Sequence, residues 1–368
     1  EDRYSRAARE LDAWRRAGIL REDPSPALYV YHQSFRMDGQ SFTRKGFLAR
    51  VRLEPFGHGK IYPHEKTLGH AKADRLSLYR ATGFNLSPIF GLYPDATAEV
   101  LRAAEAGISD RTPLEAEDHL GVVSQLWPVL DQTTHTRVEG LMSERPVFIA
   151  DGHHRYETGL NYLKERLAAE EMLPDDAPER YCLMMLVGMS DPGLIIMPTH
   201  RLISGFPGLG METLSMILEP EFALQDVDSA VEAWERIEAE DTQELLGFGT
   251  VADGRWRVAR LRSDATMDAL APEQSADWRA LGVSILHVLV LRHLLNSQSR
   301  TEPSFEYVHR LDEVNDAVGR RACDLVALVP AAQMEHVQAV ASQGETMPPK
   351  STYFYPKLLT GLVLNPIR

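Results

Sequence analysis

The chain has 368 residues, 44% hydrophobic and 25% charged, with 39 Lys and Arg against 53 Asp and Glu and a net charge of −14. That is length enough for a sizeable core and two subdomains. The acidic excess argues against a nucleic-acid-binding surface, which needs clustered cations, and no apolar run approaches the roughly 18 residues of a membrane span.

The chain opens inside a helical pattern, with Ala7, Leu11 and Trp14 on one stripe and no initial Met, so a segment upstream of Glu1 is expected. "ALYVYHQSF" and "GFLARVRLEPF" read as strands around an Asp38-Gly39 turn. "GKIYPHEKTLGHAKADRLSLYRATG" reads as a loop running into a helix that stops at Gly83. "SPIFGLYP" is a short strand, residues 96–106 a helix, and "GVVSQLWPVLD" a strand pair or hairpin. A helix over 135–142 precedes the apolar run 146–150, an Asp151-Gly152 turn and a helix to about Ala169.

"RYCLMMLVGMS" and "GLIIMPTHRLI" read as a strand pair joined by Asp191-Pro192-Gly193. Acidic helices around "SAVEAWERIEAE" follow, then a hairpin turning at Asp253-Gly254, an apolar helix "VSILHVLVLRHLL", a strand "CDLVALVP" and a helix ending at Gly344. "STYFYPKLLTGLVL" closes the chain in extended form. Strands and helices mix without regular alternation, which predicts an α+β fold. Cys182 and Cys323 lack metal-ligand spacing and read as buried thiols in a reducing cytoplasm.

Four stretches carry chemistry. In "FIADGHHRYETGLNYL", a strand, a tight turn and a helix start make a ready anion site, because first-turn N–H groups and the positive helix end point the same way. Asp151 is a good N-cap. His153 continues the apolar stripe of Tyr156, Leu160, Leu163 and Leu167, so it packs inward with a hydrogen-bond partner. His154 and Arg155 face elsewhere, where Arg155 offers a bidentate phosphate grip. The plain alternative is a capped helix with a satisfied core histidine.

In "YPHEKTLGHAKADR", Lys72 interrupts the apolar line of Leu68, Leu76 and Tyr79, so it either snorkels or meets an anion. Arg75 lies near the same face, and Glu65 is a candidate general base. A zinc-protease motif would need His where Leu68 stands. The alternative makes His64 and Glu65 solvated helix-start residues. "MPPKSTYFYPKLLTG" combines Lys350 and Lys357 with the hydroxyls of Ser351 and Thr352, without the glycines of a phosphate-binding P-loop. "PTHRL" ends a strand with Thr199, His200 and Arg201.

With these stretches in hand, the chain resembles the bacterial and archaeal family catalogued as domain of unknown function 1015. The resemblance rests on "YVYHQSF", "PHEKTLGHAKADRL", "IADGHHRYETGL", "DPGLIIMPTHRL" and "MPPKSTYFYPKLLTGLV". "DGHHR" in turn looks like the phosphate-holding turn of the ParB/sulfiredoxin superfamily, which includes free serine kinase.

That resemblance implies a mixed-sheet ParB/sulfiredoxin-like nucleotide-binding core over 1–202, an acidic α+β insertion over 203–275 and a C-terminal α+β segment over 276–368 packing back on the core. It implies a kinase that phosphorylates the hydroxyl of free L-serine with ATP or ADP (or CTP) and Mg²⁺. Glu65, Asp151 and His154 would be catalytic, and Asp151 a candidate Mg²⁺ contact. Gly152, His153, His154, Arg155, Lys72 and Arg75 would hold the nucleotide. Thr67, His200, Arg201, Lys350, Ser351 and Thr352 would hold the amino acid. The alternatives are a ParB-like nucleotide switch or triphosphate hydrolase with no small acceptor, a metal hydrolase using His153, His154 and Glu157, and an inactive scaffold. The expected partners are small molecules and a second copy in a homodimer, with no nucleic acid and no membrane.

Overall fold

A computed structural model describes residues 2–65, 69–108, 111–169, 172–299 and 302–368, with side chains at 69–72 excepted. They divide into two units: unit 1 is Glu1–Ile195 with Pro356–Arg368, and unit 2 is Ile196–Tyr355. The architecture is α+β with mixed sheets, as expected.

Unit 1 contains α1 (Arg3–Arg16), β1 (Leu28–Met37), β2 (Gln40–Arg52), β3 (Ile61–Pro63), α2 (Gly69–Thr82), β4 (Phe84–Asn85), β5 (Ile89–Tyr93) and α3 (Glu99–Glu105). These are followed by β6 (Leu114–Glu117), β7 (Val123–Val129), α4 (Gln132–Met142), β8 (Val147–Asp151), α5 (His153–Ala169) and β9 (Tyr181–Gly188). Eight strands form one sheet in the order β3-β8-β5-β9-β2-β1-β7-β6. β3 runs parallel to β8 and β5 to β9, and the other neighbours are antiparallel.

The β1–β2 hairpin turns at Asp38 (φ 50°) and Gly39 (φ 78°), the left-handed pair that a two-residue hairpin requires. The buried residues of β1, β2, β5, β8 and β9 meet Tyr156 of α5 and Val138 of α4 in one core. Tyr156 also ties α5 to the loop after β2: its hydroxyl accepts from the Glu54 N–H and donates to the Glu54 carbonyl, both at 2.9 Å.

Unit 2 contains β10 (Ile195–Met197), β11 (His200–Ser204), α6 (Met211–Leu218), β12 (Phe222–Val227), α7 (Ala230–Glu240), β13 (Leu245–Thr250), β14 (Arg255–Leu261), β15 (Ser304–Val308), β16 (Leu325–Leu328) and β17 (Tyr353–Tyr355). Its antiparallel sheet has the order β12-β14-β13-β16-β11-β15. Strand alternation splits the core in two. Leu325 and Ala327 join Phe222, Phe248 and Leu286 in one cluster, while Val326 and Leu328 join Ala233, Ile237 and Trp256 in the other.

Several expectations change. "GVVSQLWPVLD" is the single strand β7, whose hairpin partner is β6. The stretches around Asp191-Pro192-Gly193 do not pair: β9 lies between β5 and β2, and β11 between β15 and β16. The turn itself forms, with the Gly193 N–H on Asp191 Oδ1 at 3.0 Å. Gly193 lies so close to β2 that a Cβ would stand 2.4 Å from the Arg44 nitrogen.

α3 begins at Glu99 rather than 96 because the Asp95 carboxylate accepts the Glu99 and Val100 N–H groups at 3.0 and 2.9 Å. Trp14 and Leu167 are exposed, off the stripes they were assigned to. The apolar stretch Ile285–Leu294 winds as a π-helix. The closing segment is extended only at β17 and at Asn365–Pro366. The six-stranded sheet takes strands from both sides of the expected divisions at 202 and 275, because β11 (His200–Ser204) pairs with β15 and β16, which lie beyond residue 300. Among the described residues, no helix is long and apolar enough to cross a membrane.

Candidate functional site

The parallel pair β3 and β8 is in register at Ile61 with Val147, Tyr62 with Phe148, and Pro63 with Ile149. Two residues further on stand Glu65, just past β3, and Asp151, the last residue of β8. Carboxyl ends of neighbouring parallel strands are where α/β proteins place ligands. Gly152 follows with φ +95°, and its carbonyl accepts the Arg155 and Tyr156 N–H groups at 2.8 and 3.0 Å. Gly152, not Asp151, therefore holds the N-cap position. Asp151 ends the strand and points its carboxylate at two cations: Arg155 Nη2 at 3.5 Å and Lys357 Nζ at 3.6 Å.

Two buried histidines set the geometry beneath the turn. His64 is completely buried, and its Nδ1 donates to the Ile149 carbonyl, which places its proton on Nδ1. Its backbone N–H donates to His153 Nε2 at 3.2 Å, and the two rings meet edge to face at 4.7 Å. Burial pushes both rings below the ordinary histidine value. For His153 the nearby charges of His64, His154 and Arg155 push in the same direction.

His153 thus packs inward, as its helical phase predicts. The phosphate contact also assigned to it does not fit, because Nε2 is committed to the backbone. His64 is no solvated helix-start residue: its ring and backbone tie β3 to the β8–α5 turn.

Arg155 folds back over Gly152, so that a Cβ there would meet Arg155 Nε and Nη2 at 2.9 Å. Its Nη1 donates to the Pro88 carbonyl. Burial lowers its pKa, Asp151 and Tyr79 oppose that, and the like charge of Arg75 adds to it. Arg75 approaches from α2, and its buried Nε has no hydrogen-bond partner among the described residues. Burial pushes the neighbouring Tyr79 hydroxyl up to about 12. Arg155 thus lies beside a helix N-terminus with the like charge of Arg75 acting on it, which suits an added anion.

The remaining expected residues are distributed elsewhere. Thr67 lies outside the described residues, as does the side chain of Lys72. His200, Arg201, Lys350, Ser351 and Thr352 belong to unit 2. There Arg201 is buried and donates to the Thr199 carbonyl and, at 2.9 Å, to the Lys350 carbonyl. His200 Nδ1 accepts the Val329 N–H at 3.4 Å, and Ser351 Oγ donates to the Pro348 carbonyl at 2.5 Å. Arg201, His200 and Ser351 thus each make a hydrogen bond within unit 2. Among the described residues, no group of three or more His, Cys, Asp or Glu could hold a metal ion, so the histidine-based metal site has no support.

Lys357 stands in the "MPPKSTYFYPKLLTG" stretch, but no local sequence signal links it, or Arg44 and Gln33, to the Asp151 turn. Nothing marks an arginine in a strand as buried when its partner is a carbonyl 312 residues away.

The family model described as "Protein of unknown function (DUF1015)" matches residues 1–284. The chain belongs to this family. No curated protein matches it. Among solved structures, this DUF1015 protein is similar to a conserved hypothetical protein from Pyrococcus furiosus, at 13% identity and TM-score 0.41, covering 85% of this chain and 92% of that one. It is also similar to a mutant free serine kinase in complex with ADP, at 12% identity and TM-score 0.42, covering 83% and 87%. A third likeness is to C-terminally truncated SbnI from Staphylococcus aureus, at 14% identity and TM-score 0.42, covering 87% of each chain.

Proposed function

We propose that the protein is a nucleotide-dependent kinase that phosphorylates the hydroxyl of free L-serine. The observation that carries this reading is the Arg155 guanidinium folded over the Gly152 turn at a helix N-terminus, with Glu65 and Asp151 at the ends of the adjacent parallel strands. An anion at the helix N-terminus relieves two like charges, and phosphate oxygens match guanidinium geometry. The resemblance of "DGHHR" to the ParB/sulfiredoxin phosphate turn supports reading that anion as a nucleotide phosphate.

In this reading Glu65 accepts the serine hydroxyl proton as that oxygen attacks the terminal phosphorus. The bond to the departing nucleotide oxygen breaks, and Arg75, Arg155 and His154 balance the charge on the transferring group. The first-turn amides and Arg155 hold the phosphates in line. Asp151 is the one carboxylate at the turn, which fits a Mg²⁺ held mainly by phosphate oxygens. Such an ion, when bound, neutralises phosphate charge. The buried pair His64 and His153 carries no part of the chemistry and keeps Glu65 and the turn in register.

The test is incubation with L-serine, Mg²⁺ and either ATP or ADP, with phosphoserine measured by mass. Glu65→Gln is expected to cut the rate by about 10²- to 10⁴-fold, the usual worth of a positioned base. No product with either nucleotide, or full activity in Glu65→Gln, refutes the proposal. Nucleotide hydrolysis that serine does not stimulate would favour a ParB-like switch or hydrolase instead.

A further inference from the structure

We propose that Lys357 is a phosphate-binding residue of the 151–155 turn, delivered there by a buried clamp on β1 and β2. The inference rests on the reading above in taking the turn as a phosphate site, and adds a cation from the far end of the chain.

The Lys357 ammonium stands 3.6 Å from Asp151 Oδ2, and its side chain is 45% exposed. An ion pair that open contributes little, so it does not by itself keep the ammonium from a more highly charged acceptor. Its backbone, in contrast, is held firmly. Gln33 Nε2 donates to the Lys357 carbonyl at 3.1 Å, and Arg44 Nη2 donates to the Pro356 carbonyl at 2.6 Å and to Gln33 Oε1. Gln33 and Arg44 are both essentially inaccessible to solvent, and the Arg44 guanidinium lies 4.7 Å from the centre of the Phe90 ring.

Burying a guanidinium is costly, and apolar residues of similar size would hold a segment in place as well. What a guanidinium adds is direction. It holds the Pro356 carbonyl directly and, through Gln33, the Lys357 carbonyl, and so sets the register of Lys357 over the turn. The arrangement is a hydrogen-bonded backbone carrying a long ammonium that shares the Asp151 carboxylate with Arg155. That suits a ligand with two or more phosphate groups, for which lysine serves as a mobile point charge next to the planar arginine. Arg44 and Gln33 are positioning residues in this scheme.

The experiment is calorimetric titration of the full chain with inorganic pyrophosphate, ADP and adenosine. Lys357→Met is expected to weaken pyrophosphate and ADP about 10- to 100-fold, the range of one charge-assisted contact, and to leave adenosine unchanged. Lys357→Arg should restore most of the loss. Gln33→Ala should reproduce part of it, again only for the phosphorylated ligands, which a general loosening of the sheet would not do. Lys357→Met binding pyrophosphate and ADP like the unaltered chain overturns the inference, even where phosphoserine is made. Lys357-dependent pyrophosphate binding without phosphoserine formation overturns the kinase reading and leaves this one standing. An unaltered chain that binds neither pyrophosphate nor ADP overturns both.

Discussion

Replacing Gly152 by Ala strikes the turn at its least tolerant atom. The backbone there has φ +95°, and a left-handed conformation costs a residue with a Cβ about 1–2 kcal/mol. The added methyl would also meet Arg155 Nε and Nη2 at 2.9 Å and Cζ at 3.0 Å, so the guanidinium must move. Its bond to the Pro88 carbonyl is then lost, and a hydrogen bond from a charged donor is worth about 1.5–3 kcal/mol. Allowing for partial relaxation, Gly152→Ala should destabilise the β8–α5 junction by about 2–4 kcal/mol. Hydrogen exchange of peptides spanning 147–163 reads this locally, because local opening energies set exchange rates. At 1.4 kcal/mol per tenfold, exchange should quicken roughly 30- to 1,000-fold. Gly152→Asn should fall between, since Asn tolerates positive φ better. Unchanged exchange in Gly152→Ala would refute the account of the turn.

Three further outcomes follow from the same geometry. Arg75→Met should leave thermal stability within about 0.5 kcal/mol of the unaltered chain, or raise it, because a like charge beside Arg155 is removed. The same variant should bind ADP more weakly by titration calorimetry, and a large stability loss with unchanged binding would reverse the assignment. In unit 2, burial and then the Arg201 charge push His200 and His287 down to about 3, so both are neutral in the folded protein. An unfolded histidine takes its proton near 6.5, so the stability these rings contribute is complete above that pH and declines as pH falls towards 3. The loss is at most about 1.4 kcal/mol per pH unit for each ring, and urea midpoints in His287→Leu should show a shallower slope. Cys182 and Cys323 are buried and burial raises both thiol pKa values, so a thiol reagent should label neither until the chain unfolds.

Helical phase alone was enough to turn His153 inward, since three residues separate it from the fully buried Tyr156. Local chemistry also placed the Asp38-Gly39 hairpin, the stop at Gly83 and the Asp-Gly turn before α5. Long-range choices were not legible. An Asp191-Pro192-Gly193 turn announces a reversal but not the partners of the strands around it. Arg155 carries the same letter whether it reaches outward or folds back onto Pro88, and the deciding carbonyl lies 67 residues earlier. His64 reads as polar and exposed until the three-residue strand β3 is seen beside β8. The family resemblance supplied a ligand class that no periodicity could.

Unit 1 is interrupted by the 160 residues of unit 2 and completed only by Pro356–Arg368. During synthesis at about 5–20 residues per second, the ribosome spends roughly 10–30 s between finishing β9 and making Pro356. For that interval Arg44 has no carbonyl of Pro356 to hold, and a guanidinium destined for the interior lacks a native acceptor. The first 195 residues therefore should not mature on the ribosome ahead of the rest. A protease applied to stalled nascent chains should find unit 1 open until Pro356–Arg368 has emerged, so that the site is assembled after unit 2 has been made.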